Sequence, residues 1–414
     1  MEIENSNRRV VITGMGVVSP LGCGVNLFWE KLLAGQSGVK LITEFDLSRC
    51  KTKIGAAAAG FFPDEHFSDK DKKRISRAAQ MSLVAAQEAV IDSGIDLQKG
   101  DSTRKAVILG SSITGFTSAE PFFEQYYDGW QGNPYIIPKV MNNAPASNLS
   151  IKFGFRGPLL TTDAACASSA HAIGYGLQLI RNGSVDVAIV GGADSALSPA
   201  VMQAWSMLRV LSSRNDTPEQ ACRPFSKDRD GIVLGEGAGI LVLESEALAR
   251  QRGARIYAEV SGYGATSDGH HITQPTAQGP MDAIHFALRD ACILPGEVQY
   301  ISAHGTATLW NDRNETQAIK AVFGDHAYRI PIVGIKGAIG HSIAATGALE
   351  CISTALAIKN QQIPPTVNCQ VPDPECDLDH VPEGSRQHVI ENAISSSFAF
   401  GGSNAVLTLS RFNE

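Results

Sequence analysis

The chain alternates short apolar runs with longer amphipathic stretches, a pattern typical of an α/β protein. Several apolar runs lead into a glycine pair or a Gly-x-Gly turn, as buried strands do before a tight turn. Strands are predicted over residues 9–18, 105–109, 185–190, 256–264, 298–304 and 393–400. Helices are predicted over residues 26–34 and 73–93, the second with Ile75, Leu83, Ala86, Val90 and Ile91 along one side. Residues 232–244, which contain GEGAG, are predicted to form two strands joined by a tight turn.

The order of a strand, a helix and a strand that ends in glycines occurs twice. Residues 256–264 end in Gly-x-Gly as residues 9–18 do, and residues 393–400 run into a glycine pair as residues 185–190 do. This internal repeat predicts two similar α/β halves. The predicted halves are residues 1–255 and 256–414. We expect them to pack as one body, because no Pro- or Ser-rich linker separates them.

Composition narrows the class of protein. The 414 residues are 43% hydrophobic and 19% charged, with 40 glycines and a net charge of −7. These values favour a compact enzyme over a disordered chain or a nucleic-acid-binding domain. The polar start MEIENSNRR does not resemble a signal peptide, and no run of about 18 apolar residues predicts a membrane span. The eight cysteines form no CxxC pair, so we expect reduced thiols, no zinc site and a cytoplasmic location.

Cys166 is the first candidate for chemistry. It lies in TTDAACASSAHAIGYGLQLIRNG, residues 161–183, after a run of small residues and before a helical pattern. We expect a thiol at a helix N-terminus to have a lowered pKa, since unpaired amides and the helix dipole favour the thiolate. The alternative is that Cys166 is a small core residue among alanines.

Two further segments carry histidines. His304 follows a predicted buried strand in SAHGTATLWNDRNET, where carboxylates at Asp312 and Glu315 stand at a predicted helix start, suited to capping or an ion pair. The segment GIKGAIGHSIAATGALE supplies Lys336, His341 and Glu350, of which the first and last can form a buried ion pair. One cysteine with two histidines suits acyl transfer to a thiolate and stabilisation of an enolate. The alternatives are structural histidines and a solvated lysine.

Ordered motifs across nearly the whole chain resemble the β-ketoacyl-acyl-carrier-protein synthases, the condensing enzymes of the thiolase superfamily. The motifs are VVITGMGVVSPLG, DAACASS, RPFSKDRDGIVLGEGAG, AHGTATLWNDRNE, IKGAIGH and SSSFAFGGSNA. The resemblance implies a thiolase-like, five-layered αβαβα fold built from two duplicated halves. It also implies a decarboxylative Claisen condensation between a Cys-bound acyl chain and malonyl-acyl-carrier protein, with no metal or redox cofactor.

The resemblance assigns roles to matching residues. Cys166 would accept the acyl chain, and His304 and His341 would assist decarboxylation and stabilise the enolate. The backbone amides of Cys166 and Phe400 would form the oxyanion hole, and the Phe400 ring would guard the acyl pocket unless it is simply a core residue. The supporting ion pair would be Lys336 with Glu350. The substrate-binding residues would be Thr306, Thr308, Phe398 and Thr273.

Several positions depart from the family pattern. Gly337 stands where serine is usual, and Ala344 stands where glycine is usual. Ala399 replaces the glycine before the gatekeeper, and residues 309–310, Leu-Trp, replace a pair that commonly contains proline. Because a Cβ restricts the backbone, we expect Ala399 to change how the gate moves.

Two pathways and two rival classes stay open. The strings NDRNET and PDPECDLDHVP resemble type II polyketide ketosynthases, so polyketide or polyene synthesis is favoured over fatty-acid elongation. A non-catalytic partner like a chain-length factor would typically lack Cys166. A thiolase would carry a second cysteine where this chain reads SFAFGGSN. The family implies a dimer, either a homodimer or a heterodimer with a chain-length-factor-like subunit.

The implied partner is an acyl carrier protein, which is acidic and needs a basic docking surface. A cluster of cations precedes the long predicted helix and comprises Lys70, Lys72, Lys73, Arg74 and Arg77. We predict docking at Lys70, Lys73 and Arg74. The alternative is an ordinary solvated helix face.

Overall fold

The computed structural model describes residues 8–129 and 132–413, so most of the polar N-terminal segment lies outside the described residues. The strands are β1 (Val10–Ser19), β2 (Gly22–Cys23), β3 (Lys40–Leu41), β4 (Ile54–Gly55), β5 (Lys105–Gly110), β6 (Leu159–Thr162), β7 (Val187–Ser195), β8 (Glu236–Ser245), β9 (Ala258–Ser267), β10 (Tyr300–Ser302), β11 (Ile332–Val333), β12 (Gln362–Ile363), β13 (Arg386–Gln387), β14 (Asn392–Phe398) and β15 (Ser403–Ser410). The helices are α1 (Val25–Leu33), α2 (Asp69–Arg74), α3 (Arg77–Ser93), α4 (Phe116–Tyr127), α5 (Ile136–Val140), α6 (Ala144–Phe153), α7 (Ser168–Arg181), α8 (Pro199–Met207), α9 (Glu246–Gln251), α10 (Gln278–Ala291), α11 (Leu309–Phe323), α12 (Lys336–Ile339) and α13 (Thr346–Asn360).

The large sheet contains two halves of equivalent topology. The strand order is β1-β8-β7-β5-β6 in the N-terminal half and β9-β15-β14-β10-β11 in the C-terminal half. In each half the first three strands pair antiparallel and the last three pair in parallel. β1 and β9 join the halves through two residue pairs. The expected duplication is therefore confirmed, while the division between residues 255 and 256, just before β9, stays a prediction.

Helices cover both faces of each half. α7 contacts β5 and β7 of one half and β9 and β15 of the other, and α13 beside it contacts both β8 and β14. On the outer faces, α3 packs against β1 and β8, and α10 packs against β9 and β15. Residues 346–358 of α13 are all buried, as expected for a helix in a central layer. The layers alternate as αβαβα, which confirms the expected fold class.

Some glycines of the strand motifs serve helix packing rather than turns. Gly16 lies inside β1, where a Cβ would be 1.8 Å from the carbonyl oxygen of Ala85 on α3. The last four residues of GEGAG likewise begin the continuous strand β8, where a Cβ at Gly239 would be 2.9 Å from the amide of Leu349 on α13. The predicted strand–turn–strand over residues 232–244 is therefore wrong, because glycine here permits close backbone approach.

The helix predicted over residues 73–93 is interrupted. α2 ends at Arg74, Ile75 is extended, and Ser76 caps α3 by accepting a hydrogen bond from the amide of Ala79. Ile91, predicted on the apolar face, is exposed. The buried face of α3 is built mainly from small residues that permit close contact with the sheet. These buried residues include Ala78, Ala79, Met81, Ala85, Ala86, Ala89 and Val90.

Four loops that leave the carboxyl ends of parallel strands carry the candidate chemistry. Cys166 follows β6, His304 follows β10, Lys336 follows β11 and Phe400 follows β14. Parallel strands end at one edge of a sheet, which is where α/β proteins place ligands. Within the described residues, no helix combines the length and apolar character that crossing a bilayer requires.

Candidate active site

Cys166 lies in a tight turn immediately before the central helix α7. The turn is a 3₁₀ segment, Ala165–Ala167, and Ala165 has a φ of 46°, a left-handed value that strains a residue with a Cβ. The hydroxyl of Ser168 accepts a hydrogen bond of 2.9 Å from the amide of Ala164 and so secures the turn. The Cys166 sulfur lies 3.0 Å from Nε2 of His341.

The Cys166 thiol does not have the lowered pKa expected from a helix start. Burial raises the pKa of Cys166 to about 12, and the Lys336 charge and the amides of Phe400 and Cys166 only partly oppose this. Desolvation of an anion outweighs a partial helix charge, and the extent of burial cannot be read from the local sequence. The sulfur is therefore a neutral thiol at neutral pH, and Nε2 of His341 is close enough to accept its proton.

The contacts of His304 fix which of its ring nitrogens carries the proton. Its Nδ1 atom lies 3.2 Å from Nζ of Lys336, and the same ammonium also donates to the His304 carbonyl oxygen and to Glu350. An ammonium can only donate, so Nδ1 accepts and the ring proton stands on Nε2. Burial, followed by the charge of Lys336, lowers the pKa of His304 well below its ordinary value. The imidazole is thus a neutral donor that faces the substrate pocket.

His341 has a more adaptable partner. Its Nδ1 atom lies 3.0 Å from the hydroxyl of Thr346, which can donate or accept by rotating. Burial, followed by the charge of Lys336, lowers the pKa of His341 well below its ordinary value. Nε2 of His341 can therefore accept the Cys166 proton in one step and donate a hydrogen bond in another. Sequence reasoning did not identify Thr346, although it lies in the quoted motif.

Two carboxylates organise the loop that carries His304. Glu315 accepts from the amides of His304 and Gly305 at 2.7 and 2.8 Å, and Asp312 accepts from the amide of Thr306 at 3.0 Å. Both side chains are buried, and burial raises the pKa of Glu315 to about 7. The sequence predicted carboxylates for capping or an ion pair at a helix start. In the structure they bind amides of the preceding loop, although Asp312 also lies 3.6 Å from Arg229.

The backbone amides of Phe400 and Cys166 are close enough to the Cys166 sulfur to oppose part of the rise in its pKa. Phe400 lies in a turn between β14 and β15, which we call the gate turn (residues 399–402). The amide of Ala399 donates to the carbonyl of Ser403 at 2.9 Å, and the amide of Gly402 donates to the carbonyl of Ala399 at 3.0 Å. Two amides beside the Cys166 sulfur form an arrangement that can hold an oxyanion.

The left-handed positions of the gate turn are Gly401 and Gly402, with φ of 85° and 75°. Ala399 is not among the residues with positive φ, so its Cβ causes no backbone strain. The expectation that Ala399 changes how the gate moves stays a prediction. The Phe400 ring is half-buried and stacks on Trp205 of α8, with ring centres 5.7 Å apart.

One pocket joins these groups to the surface. The Cys166 sulfur and one ring nitrogen each of His304 and His341 line it and lie within 4.8 Å of one another. All four predicted substrate-binding residues line it, namely Thr306, Thr308, Phe398 and Thr273. The hydroxyls of Thr306 and Thr308 lie 2.9 Å apart. Lining residues that sequence reasoning missed include Trp205, Val210, Ile232, His271 and Asn404. Ile232 and Asn404 lie in quoted motifs, whereas the other three come together through tertiary packing.

The predicted docking residues lie on α2, away from the base of the pocket. Lys70 and Lys73 are exposed, whereas Arg74 stacks on Tyr135 and donates to its hydroxyl at 2.7 Å. The other two cations of the cluster are engaged. Lys72 pairs with Asp64 and Asp69, and Arg77 pairs with Glu236.

Two further departures from the family pattern have a local explanation. A Cβ at Gly337 would lie 2.5 Å from the carbonyl oxygen of Val367, so this backbone has no room for a serine. Ala344 is buried outside the left-handed region, so it takes the place of a glycine without strain. Leu309 and Trp310 are exposed at the start of α11, and Trp310 lines the pocket.

Comparison with known proteins identifies the family of the chain. The chain matches the family models "Beta-ketoacyl synthase, N-terminal domain" over residues 7–249 and "Beta-ketoacyl synthase, C-terminal domain" over residues 257–370. It is 42% identical over 412 residues to 3-oxoacyl-[acyl-carrier-protein] synthase 2 of Coxiella burnetii, covering 98% of this chain and 99% of that protein.

Solved structures of similar proteins cover the chain equally well. The ishigamide ketosynthase/chain length factor is 35% identical with a TM-score of 0.92, covering 98% of this chain and 100% of that chain. A type II PKS acyl-carrier protein in complex with its ketosynthase bound to the hexaketide is 34% identical with a TM-score of 0.90, at the same coverage. The chain therefore belongs to the β-ketoacyl synthase family of enzymes.

Proposed function

We propose that the chain elongates acyl groups on acyl carrier protein, with malonyl-acyl-carrier protein as the two-carbon donor, in fatty-acid synthesis. The observation that supports this most is the buried Cys166 thiol 3.0 Å from one neutral imidazole and close to a second. A hydrolase triad needs one imidazole oriented by a carboxylate. A second imidazole with Nε2–H facing the pocket suits a reaction that must also hold an enolate.

The first stage is acyl transfer. As the Cys166 sulfur attacks the thioester carbonyl, its proton moves to Nε2 of His341. The amides of Cys166 and Phe400 hold the oxyanion of the tetrahedral intermediate. When the intermediate collapses, the carbon–sulfur bond to the carrier breaks and His341 returns the proton to the leaving thiol. Cys166 is left acylated and both imidazoles are neutral.

The second stage forms the carbon–carbon bond. The malonyl carboxylate leaves as carbon dioxide, and the electron pair of the broken bond becomes an enolate on the thioester. Nε2–H of His304 donates a hydrogen bond to the enolate oxygen. His341 donates a second hydrogen bond from Nε2 when the Thr346 hydroxyl donates to its Nδ1, because the ring proton then stands on Nε2. The enolate carbon attacks the acyl-Cys166 carbonyl, the carbon–sulfur bond to Cys166 breaks, and the released thiolate takes up a proton from solvent by way of His341.

The comparisons favour fatty-acid elongation over the polyketide pathway that the sequence strings favoured. The full-length relative at 42% identity is a 3-oxoacyl-[acyl-carrier-protein] synthase 2, whereas the polyketide-type structures are 35% and 34% identical. Polyketide synthesis, with a chain-length-factor partner, is the second candidate, supported by the structural match to the ishigamide complex.

The proposed chemistry uses only groups of the chain and the carrier-bound substrates. The Lys336 ammonium and the two imidazoles supply the donors that an added cation would otherwise provide. All eight cysteines are unpaired thiols, consistent with action in a reducing compartment such as the cytoplasm. We therefore expect condensation by the purified protein to be unchanged by a metal chelator.

The function is tested with the purified chain alone, an acyl-acyl-carrier protein and malonyl-acyl-carrier protein. Mass spectrometry is expected to show an acyl group on Cys166 and a β-ketoacyl product two carbons longer. Cys166→Ala should abolish both, and Cys292→Ala, which changes an exposed cysteine, should abolish neither. Condensation that requires a second, cysteine-less subunit would favour the polyketide candidate. A chain that is never acylated would contradict both.

We also propose that the carrier protein docks on α2. Lys70 and Lys73 are exposed, and their charges complement an acidic carrier. The double variant Lys70→Glu/Lys73→Glu should raise the KM for acyl-acyl-carrier protein by about tenfold and leave acylation by a carrier-free thioester unchanged. Lys99→Glu, on another exposed surface, is the control. An unchanged KM in the double variant would show that α2 is only a solvated face.

A further inference from the structure

His171 connects α7, the helix that follows Cys166, to the far end of the gate turn. It lies on α7, about one and a half helical turns after Cys166. Its Nε2 atom is 2.8 Å from the hydroxyl oxygen of Ser403, the first residue of β15. The carbonyl of Ser403 in turn accepts the hydrogen bond from the amide of Ala399 that closes the gate turn. The side chain of His171 on α7 thus contacts Ser403, the residue whose carbonyl closes the gate turn.

The other ring nitrogen of His171, Nδ1, also has a hydrogen-bond partner within the protein. Nδ1 of His171 lies 2.5 Å from the hydroxyl of Tyr263 on β9, and Tyr263 is 9% exposed. The ring of Tyr263 occupies space that only a glycine on α7 leaves open, since a Cβ at Gly174 would lie 2.5 Å from it. The helix, the phenol and the gate turn therefore fit together through one histidine.

The hydrogen bonds fix the direction of donation. Burial raises the pKa of Tyr263, so the phenol keeps its proton. Burial lowers the pKa of His171, so the imidazole is neutral and carries one proton. The phenol donates to Nδ1, which places the imidazole proton on Nε2, from where it is donated to the hydroxyl of Ser403.

We infer that His171 is a positioning residue that sets the Phe400 amide relative to the Cys166 sulfur. Both oxyanion-hole amides would then be fixed to a single helix: the Cys166 amide through the turn before α7, and the Phe400 amide through Ser403 and His171. This inference rests on the proposed function, because an oxyanion hole matters only when Cys166 attacks a thioester. It predicts that His171 acts on acyl transfer far more than on the reactivity of the thiol.

The test separates those two properties in the full-length protein. In His171→Ala, the single-turnover rate of Cys166 acylation at saturating thioester should fall about tenfold, with KM changed by less than about twofold. Alkylation of Cys166 by iodoacetamide needs no oxyanion hole, so its rate should stay within about twofold of the wild-type rate. Ser403→Ala and Tyr263→Phe should shift acylation in the same direction, and Ser403→Thr, which keeps a hydroxyl, should restore it.

The control is His388→Ala, which removes another half-buried histidine with a hydrogen bond to a backbone carbonyl, that of Gln299. The effects of His171→Ala and Ser403→Ala should not add in the double variant, because they break one chain of contacts. Equal losses of acylation and alkylation, or fully additive losses, would overturn the inference. Tyr263→Phe, which keeps the ring, supplies an answer if His171→Ala fails to fold.

Failure of the proposed function would look different. A wild-type protein that is acylated by a synthetic thioester but not by acyl-acyl-carrier protein would contradict the proposed carrier substrate. The same synthetic thioester would still measure the effect of His171→Ala on acylation. A wild-type protein that condenses both carrier substrates, with a His171→Ala variant acylated at the wild-type rate, would contradict the role of His171 alone.

Discussion

At the scale of single residues, the two imidazoles of the site differ in the partner of Nδ1. Lys336 can only donate, and it fixes the proton of His304 on Nε2, whereas the Thr346 hydroxyl can serve His341 in either sense. The proposed chemistry needs this difference, because one histidine acts only as a donor and the other both accepts and returns a proton. The division of labour depends on neighbours rather than on the histidines themselves.

Replacing Lys336 therefore tests the fixed donor. We expect Lys336→Met to lower the rate of malonyl-acyl-carrier-protein decarboxylation by about a hundredfold, since His304 loses the partner that keeps the proton on Nε2. Alkylation of Cys166, which depends on His341, should fall much less. Both rates are measured on the same preparation, with its melting temperature as the check on folding.

Lys320→Met is the matched control, because Lys320 lies in a surface ion pair with Asp377. It should leave both rates near their wild-type values. A Lys336→Met protein that is folded and still decarboxylates at the wild-type rate would show that the tautomer of His304 does not depend on the ammonium.

His380 provides a residue-scale prediction on stability. Burial lowers its pKa to about 4, and its ring stacks on Phe225 with centres 4.0 Å apart. In the unfolded chain a histidine takes up a proton near pH 6.5. Between about pH 6.5 and 4 the unfolded state thus binds more protons than the folded state, so the stability that His380 contributes is lost as the pH falls.

We expect His380→Gln to be destabilising at pH 7.5, with a penalty that shrinks by at most about 1.4 kcal/mol per pH unit below pH 6.5. Urea unfolding of both proteins at several pH values measures the difference. Other titrating groups change both proteins alike and cancel in that difference. A penalty that does not vary with pH would show that His380 is protonated in the folded state as readily as in the unfolded one.

Sequence motifs located Cys166, His304, His341 and the Lys336–Glu350 pair, and the structure brings these side chains together. The pKa of Cys166 was predicted in the wrong direction, because burial is a tertiary property that the helix start does not reveal. Trp205 and Tyr263 carried no motif at all. Their positions follow from how α8 and β9 pack against the gate turn and α7.

At the scale of elements, the gate turn shows which glycines matter. Gly402 has a φ of 75°, and a Cβ there would lie 2.8 Å from the Cβ of Asp268. Ala399 has no such constraint. We expect Gly402→Ala to slow Cys166 acylation at least about tenfold and to destabilise the fold by about 1 kcal/mol or more, whereas Ala399→Gly should change acylation by less than about twofold.

Stopped-flow acylation and thermal melting of the two variants measure these effects. Gly60→Ala is a control for a left-handed glycine away from the site, since its φ is 69° and nothing lies near its Cβ position. It should lose some stability and no acylation rate. A marked effect of Ala399→Gly on the acylation rate would instead show that residue 399 controls the gate turn.

The errors in predicted elements have two physical causes. A glycine in a strand predicts a turn on local grounds, yet helices α3 and α13 approach the backbones of Gly16 and Gly239 inside their strands, a contact between distant segments. Ile75 fits a helical period, but Ser76 caps α3, which is a local signal that the apolar period does not contain. Long apolar runs such as β1 are predicted well.

At the scale of the whole molecule, the repeat in the sequence predicted the duplication, and the equivalent strand orders confirm it. The central position of α7 and α13 was not predictable from their own sequences. It follows from the way that both halves of the large sheet present an apolar face to the same two helices. One buried cluster accordingly contains residues of both halves, among them Ile12, Leu177, Leu349 and Leu407.

This shared cluster predicts that the halves unfold together. Leu349 on α13 is fully buried in the cluster, so Leu349→Ala should lower the free energy of unfolding by about 3 kcal/mol. Because α13 packs against strands of both halves, the urea transition should move as a whole, with far-UV circular dichroism and tryptophan fluorescence giving the same midpoint. Leu294→Ala, at an exposed position, should shift the midpoint little. Two separated transitions in Leu349→Ala would instead mean that each half is stable without the central layer they share.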